Sequence, residues 1–539
     1  MNFTDSIFSS LEPHPKDFPI FLSALAIIFS QLLITEFLKR KNIMSAAHTR
    51  KVIHILTGVL IFIAPNFFHT GFYPALIPLI FIPINLIAVR FGWFESIHGS
   101  ERGELTNQNK IEHNYGTVYY PFAFLILVVL FWGSHTWVIQ VSMLVLAIGD
   151  AGASLFGESV KKPHFYNLAG RESKPKTIEG SLMMFGLSLV IIYLSLKFFK
   201  QESLALLSID DKTLFVLSIS LALIATATEA LLSGGIDNLF VPLSVAYPMV
   251  IFDIQGAEMI RNIILATCIS FLFVRLSVWL KFLNASGGTA TFLFGANIFC
   301  MGGVKWTVPV LAFFLLSSIL SKVGKARKKK FDLIFEKGSQ RDAGQVYANG
   351  GIAWLIMIWY SFTPEPILFV AFLGTLAAVQ ADTWATEIGT MLRNPKPVSI
   401  ISFKPVAPGT SGGITVTGTS SAFLGAAVIA LSGWLIASSE IRSLFGDGSS
   451  SGLLEAIGCI GLAGLIGSLI DSFLGATVQA MYFDEIRQKE TERTHSRKED
   501  GTPIENRLIK GYLWADNDLV NLICAISGAG ISVIIYSLI

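Results

Sequence analysis

Long apolar runs, parted by short polar stretches rich in Lys and Arg, recur from Phe18 to the end of the chain. Each comes close to the length a helix needs to cross a bilayer. The pattern predicts roughly sixteen transmembrane helices, several interrupted by Gly or Pro. A first half would hold spans at 18–37, 53–66, 71–89, 119–132, 136–156, 179–196, 213–232, 239–253 and 260–281. A second would hold 288–304, 306–322, 345–362, 366–382, 413–437, 453–479 and 518–538. The break falls near Leu283–Gly288, with no long soluble linker, so the expected domains are 1–283 and 284–539.

Composition agrees with this all-α polytopic membrane reading: the 539 residues are 52% hydrophobic and 14% charged, with a mean hydropathy of +0.61. Such a chain is too apolar for an ordinary soluble protein. A net charge of +2 without a dense basic face argues against nucleic acid as a partner. Cys268, Cys300, Cys459 and Cys524 lie far apart in apolar runs, so inert core thiols are expected rather than a metal site or a disulfide framework. The first twenty residues lack a cleavable n-region, and no removed targeting segment is expected. With the N-terminus outside, loops such as Lys39–Lys51, Lys161–Lys176 and Arg487–Lys510 fall on the cytoplasmic side, as the positive-inside bias requires. A bacterial plasma membrane, with sites open to the cytoplasm, is the expected location.

Charge inside the apolar runs is where chemistry is expected. Asp150 ends the run VIQVSMLVLAIGD, where an uncompensated carboxylate is expensive, and small residues surround it. Further on, Lys176 leads into Thr177, Glu179, Gly180 and Ser181 at the start of the next run, where free N–H groups of a helix N-terminus can hold an anion. Taken one by one, an Asp here would serve as a cap and a lysine-rich loop as a membrane anchor. The grammar recurs, however: Asp382 is followed seven positions later by Gly389, as Asp150 is by Gly157, and Lys404 leads into Gly409, Thr410, Gly412 and Gly413. Glu229 lies within an apolar run and Asp237–Asn238 follow a Gly pair; Asp471 and Asp516–Asn517 occupy the same order in the second half. Two related halves are therefore expected. Arg50 and Lys51 suit phosphate and equally suit anchoring, while Lys322 and Arg341 flank a basic loop suited to a phosphorylated substrate.

Carboxylates gathered at one membrane edge are hard oxygen ligands for Mg2+ carrying polyphosphate. The expected metal ligands are Asp150, Asp237, Asp382, Asp471 and Asp516, with Glu229 completing the acidic set. No GxxxxGK[ST], protein-kinase glycine loop, HExxH or His/Cys cluster is present, so the common nucleotide loops and zinc sites are excluded.

The first half, with RKVIH, YGTVYY, GDAGASLFG, KPKTIEGS and DNLFVPL in order, resembles the dolichol kinase, phytol kinase and phosphatidate cytidylyltransferase superfamily, and is closer to the CTP-dependent polyprenol kinases. The resemblance implies that Asp150 binds metal and nucleotide phosphates, that Lys176 and Ser181 contact phosphate, and that Glu229, Asp237 and Asn238 complete the site. The second half, with SGGTATFLFG, QRDAGQVYANGG, ADTWATEIG, KPVAPGTSGGITVTG and DSFLGATVQA, resembles the membrane family that includes the plant phytyl-phosphate kinase. Together they imply a bifunctional enzyme that uses CTP and Mg2+. It would phosphorylate an isoprenoid alcohol such as phytol to the monophosphate and then to the diphosphate. A cytidylyltransferase making a CDP-lipid, or a transporter with broken helices, are the rival expectations.

Overall fold

The computed structural model describes residues 10–91, 115–168, 175–232, 235–256, 258–323, 340–391, 396–407, 410–436, 444–445, 450–497 and 503–539. Gly409 lies outside them. The chain forms two compact units, Met1–Ile264 and Leu265–Ile539.

In the first unit the apolar runs become α1 (Asp17–Arg40), α2 (Ala46–Ile63), α3 (Phe72–Phe91), α4 (Gly116–Phe131) and α5 (Thr136–Ser159). A two-stranded pairing of β1 (Phe165–Tyr166) with β2 (Lys176–Thr177) precedes α6 (Ile178–Phe198), α7 (Asp211–Leu231) and α8 (Asp237–Gln255). Helix α9 (Glu258–Trp279) runs across the division, upstream of the Leu283–Gly288 stretch.

The second unit contains α10 (Ala285–Val323), α11 (Ala343–Phe362) and α12 (Pro366–Met391). Strands β3 (Val398–Ser399) and β4 (Gly413–Ile414) pair before α13 (Val416–Ile436) and α14 (Ser450–Thr477). Five short strands follow, β5 (Met481–Asp484), β6 (Lys489–Thr491), β7 (His495–Arg497), β8 (Pro503–Glu505) and β9 (Arg507–Lys510), and α15 (Asn517–Leu538) ends the chain.

Among the described residues, twelve helices are long and apolar enough to cross a membrane, so the expected count of sixteen is not reached. Each expected stretch is helical over most of its described length, although 413–437 begins in strand β4. Those at 288–304 and 306–322 form one helical run, α10, interrupted where Gly303 takes φ 59°, a left-handed conformation that glycine adopts without a Cβ clash. The remaining stretches, in α2, α4 and α11, are not among these twelve, and α4 is shorter than a span. Within their spans, 67% of α5 and 78% of α12 is buried, against 17% of α1, so α5 and α12 are central in their units and α1 is peripheral.

Small residues let these central helices be approached closely. A Cβ on Gly374 of α12 would fall 2.2 Å from Ser532 Oγ and 2.5 Å from the Gly528 carbonyl oxygen of α15. This is the packing that drives helix association where lipid removes the hydrophobic force. The core of the second unit gathers around Trp306, whose ring lies 4.8 Å from Phe369 and 4.5 Å from Phe372. Of the cysteines, Cys300, Cys459 and Cys524 are buried and free, whereas Cys268 is exposed and so is not a core thiol.

The described parts of Arg487–Lys510, expected to be a basic loop, instead hold strands: β6 and β9 flank β5 in one antiparallel sheet, and β7 pairs with β8. Asp484 holds this module together. Its Oδ1 accepts from the backbone N–H groups of Ile486 (2.9 Å) and Arg487 (3.0 Å), and its Oδ2 from Ser496 Oγ (2.5 Å) and Arg487 Nη1 (3.0 Å). Burial works against the charged carboxylate, but the hydrogen bonds from Ser496 and Arg487 outweigh it and hold its pKa below the ordinary 3.8. A depressed folded-state pKa contributes stability above pH 3.8 that is lost as pH falls through the folded value. Acidification below that point is expected to loosen the module first, read by hydrogen exchange of the β5 amides. Asp484→Asn should remove this pH dependence and cost about 1.5–3 kcal/mol at neutral pH.

Candidate functional site

Helix α5 departs from α-helical geometry over Val145–Asp150, which form a π-helical segment ending at Asp150. Such bulges favour functional sites because the extra residue re-aims the side chains that follow. Beyond it, α5 packs closely against the start of α6. A Cβ on Gly157 would lie 2.5 Å from Thr177 Oγ1, and one on Gly180 would lie 2.9 Å from the Ala153 carbonyl oxygen. Thr177 also caps α6, its Oγ1 accepting from Gly180 N at 3.1 Å. These glycines thus bring β2, and with it Lys176, alongside Asp150.

Lys176 Nζ donates to Glu229 Oε1 at 2.5 Å and to the Glu229 carbonyl oxygen, and lies 3.5 Å from Asp237 Oδ2. Lys176, Arg50 and Lys51 are the cations that act on Asp150. Burial disfavours the charge on Lys176, yet the carboxylates of Glu229, Asp237 and Asp150 overcome it and raise the ammonium above its ordinary 10.5. The group therefore stays protonated through neutral pH. Lys51 is buried and pairs with Glu158 at 2.8 Å, which also accepts from Ser154 Oγ at 2.9 Å. Asn238 donates from Nδ2 to the Gly116 carbonyl oxygen at 3.0 Å, fixing the start of α8 to α4. Ser181 Oγ meets Tyr166 Oη at 2.5 Å.

All of these groups except Tyr166 line one cavity of about 1000 Å³. Away from the acids its walls are apolar, drawn from residues such as Ile28, Leu32, Ile53, Leu60, Phe81 and Phe124. Glu229 Oε2 is buried there without a hydrogen-bond partner. Glu179 stands apart, its carboxylate accepting from His164 N at 3.1 Å and pairing with His164 Nδ1 at 2.6 Å, which ties the loop before β1 to α6. His54 Nε2 is buried with no partner and its ring packs against Tyr120.

The second unit repeats the local frame. Thr415 caps α13, accepting from Gly418 N at 2.9 Å, and a Cβ on Gly418 would lie 3.2 Å from the Ala385 carbonyl oxygen. Gly389 faces Thr415 and Gly418 as Gly157 faces Thr177 and Gly180. Asp382, three residues before Ala385, thus corresponds to Asp150, three before Ala153. The carboxyl groups of Asp382 and Asp471 are hydrogen-bonded to each other, with Glu492 close enough to act on both. Gln479 Nε2 donates to Glu492 Oε1 at 3.1 Å and to Asn517 Oδ1 at 3.4 Å, while Ser411 Oγ donates to Gln479 Oε1 at 3.1 Å.

This frame corrects the pairing of motifs expected from sequence. The residue before Thr415, where Lys176 stands before Thr177, is Ile414; Lys404 is exposed and lies outside the β4–α13 junction. Gly412 takes φ 78° and lies so near α14 that a Cβ would fall 2.3 Å from Ala476 Cβ and 2.8 Å from the Ser472 carbonyl oxygen, which makes it a packing residue. The Thr410 carbonyl oxygen accepts from Gly413 N at 3.0 Å in the turn leading to β4. Asp516 is an exposed N-cap for α15, accepting from Leu519 N at 2.9 Å, rather than a member of the acidic group. Lys322 is exposed, lies 4.1 Å from the Phe282 ring centroid and donates to the Leu280 carbonyl oxygen. Arg341 stacks over Phe313 and Phe314, at 5.1 and 5.7 Å.

Sequence reasoning missed Glu158, Tyr166, Ser411, Gln479 and Glu492. Glu492 sits just past β6 in the stretch read as a basic loop, whose almost wholly polar sequence carries no strand alternation.

Lys176→Met would leave three carboxylates facing the cavity without their central cation. It is expected to destabilise the protein by about 3–5 kcal/mol, as removal of one member of a buried ion pair does. Adding Glu229→Gln should restore part of the loss, measured by denaturant unfolding in detergent.

Residues 268–529 match the family model described as integral membrane protein DUF92, a stretch that falls within the second unit. Protein PGR of Arabidopsis thaliana is 37% identical over 242 residues, covering 42% of this chain and 83% of that protein. An uncharacterized membrane protein of Methanocaldococcus jannaschii is 30% identical over 275 residues, 51% of this chain and 92% of its own. A phytol kinase of Synechocystis is 26% identical over 237 residues, 43% of this chain and 92% of its own. No solved structure matches the chain. With its many apolar helices, its DUF92 match and these relatives, the chain belongs to the DUF92 family of integral membrane proteins.

Proposed function

We propose that this chain is a bifunctional membrane isoprenoid kinase. Its first unit phosphorylates phytol or a similar isoprenoid alcohol, and its second phosphorylates the resulting monophosphate, with CTP as donor and Mg2+ as cofactor. One observation carries the reading: a single cavity joins the Asp150–Lys176–Glu229–Asp237 cluster to long apolar walls, as an amphiphile with a reacting polar head requires. The similarity to a phytol kinase supports the choice of substrate class, and each relative accounts for about half of this chain. A tethered second site meets the membrane-bound intermediate at high effective concentration.

The donor set suits Mg2+: carboxylate oxygens are its preferred ligands, and Glu229 Oε2 is buried without a partner. Asp150 and Asp237 would hold the ion, which when bound neutralises phosphate charge. Lys176, Arg50 and Lys51, which line the cavity, would bind phosphate oxygens, with Gly180 allowing close backbone approach. In the transfer, the alcohol oxygen bonds to the terminal phosphorus, the bridging P–O bond to CDP breaks, and the alcohol proton passes to a carboxylate, for which Glu229 Oε2 is our choice. In the second unit Asp382 and Asp471 form the corresponding acidic pair, and a cation would sit between them. Sites open to the cytoplasm of a bacterial plasma membrane fit the distribution of lysines and arginines.

Division of labour is the test. Purified protein in nanodiscs is incubated with CTP and either phytol or phytyl phosphate, and the mono- and diphosphates are resolved by chromatography. Asp150→Asn is expected to lower phosphorylation of the alcohol by at least about 100-fold and spare that of the monophosphate, with Asp382→Asn doing the reverse. Loss of both steps in either variant contradicts two separate sites, and pyrophosphate with a CDP-lipid as product contradicts the kinase reading.

A further inference from the structure

The apolar limb of the cavity has a definite end. From Arg50 and Asp150 it follows α2 past Ile53, Thr57 and Leu60 to Ala64 and Phe68 at the opposite end of that helix. Arg50 to Ala64 covers about 21 Å at the ~1.5 Å rise of a helix. An extended carbon chain advances in three bonds about as far as an extended peptide does in one residue, ~3.3–3.6 Å, so the limb takes roughly eighteen bonds. That is close to the main chain of an isoprenoid of four units.

The far end lies beside a polar clamp. The fully buried Asp17 carboxylate, at the start of α1, accepts from His69 N at 3.0 Å and Thr70 N at 3.1 Å and pairs with His69 Nδ1 at 2.7 Å. This clamp joins the outer end of peripheral α1 to the turn between α2 and α3. Pro19 and Ile20 of α1, together with Phe68 of that turn, line the cavity beside it. Phe68 is buried and gives this end of the limb a packed ring, beside Phe67, which also lines the cavity and is exposed.

We propose that this limb is a tail-binding subsite that measures the isoprenoid. A four-unit alcohol reaches the floor at Ala64 and Phe68 with its hydroxyl at the acid–lysine cluster. Polyprenols of many more units are excluded because Asp17 fixes the floor. The inference rests on the kinase reading for its substrate class, but its geometry is independent of the phosphoryl donor.

The test uses the full chain in nanodiscs with CTP, Mg2+ and alcohols of two, three, four and nine isoprene units, and reads both turnover and the thermal shift each alcohol produces. Wild type is expected to prefer four units over nine by at least about tenfold in kcat/KM, and to show its largest thermal shift at four. Ala64→Phe, which raises the floor, should move the preferred length to two or three units. Phe68→Ala and Asp17→Asn should raise the ratio of nine-unit to four-unit turnover. Equal turnover of all lengths in wild type, or an unchanged length profile in Ala64→Phe, overturns the subsite while leaving the kinase reading intact. No turnover at any length, with a thermal shift still greatest at four units, defeats the kinase reading and keeps the subsite. A flat thermal shift, with a phospholipid retained on native mass spectrometry that no alcohol displaces, assigns the limb to an acyl chain and overturns the proposal.

Discussion

One ammonium group among three carboxylates is the interaction on which the first unit turns. Lys176 reaches Glu229 and Asp237 directly and acts on Asp150, joining β2, α5, α7 and α8 at one point. Removing such charges from water is costly, and the cost is recovered only when geometry is tight. Gly157 and Gly180 supply that tightness by letting the end of α5 and the start of α6 touch, so the glycines serve the charge cluster as much as the helix packing. Glu229 keeps an oxygen without a partner. A cleft in that condition is suited to a cation and the phosphates it carries.

The two units share a frame and differ in charge. In both, a central helix carries an aspartate, an alanine three residues on and a glycine seven residues on, and a threonine-capped helix packs against them. The second unit has Ile414 where the first has Lys176, and it adds Glu492 and Gln479 from the segment around its strand module. Its acids lie together without a lysine, and the Gln479 amide donates to Glu492. In the proposed reading the second site, whose substrate already bears phosphate, would depend on a bound cation for the positive charge that Lys176 supplies in the first.

Much of this was legible in the chain itself. Twelve of the helices α1 to α15 lie where apolar runs of bilayer length lie, because lipid forces every backbone group into helical hydrogen bonds. Asp150, Glu229 and Asp237 stood out because charge amid apolar residues is rarely idle. Lys404 misled because lysine before glycines is common, whereas the determinant of position is the Thr-x-x-Gly cap, which Thr415 and Gly418 repeat faithfully. Asp516 looked like a ligand by its order in the chain, yet an Asp before an apolar run is also the ordinary N-cap. The tail-shaped limb was invisible, since residues facing a cavity and residues facing lipid have the same composition.

The most direct test of the central claim follows the phosphorus. Purified protein in nanodiscs receives phytol and Mg2+ with CTP labelled either at the terminal or at the α phosphorus, and the lipid product is extracted and counted. Label should enter the lipid from the terminal position alone, with CDP as the released nucleotide. Lipid label from the α position, or none from either while the protein remains folded, would contradict the account.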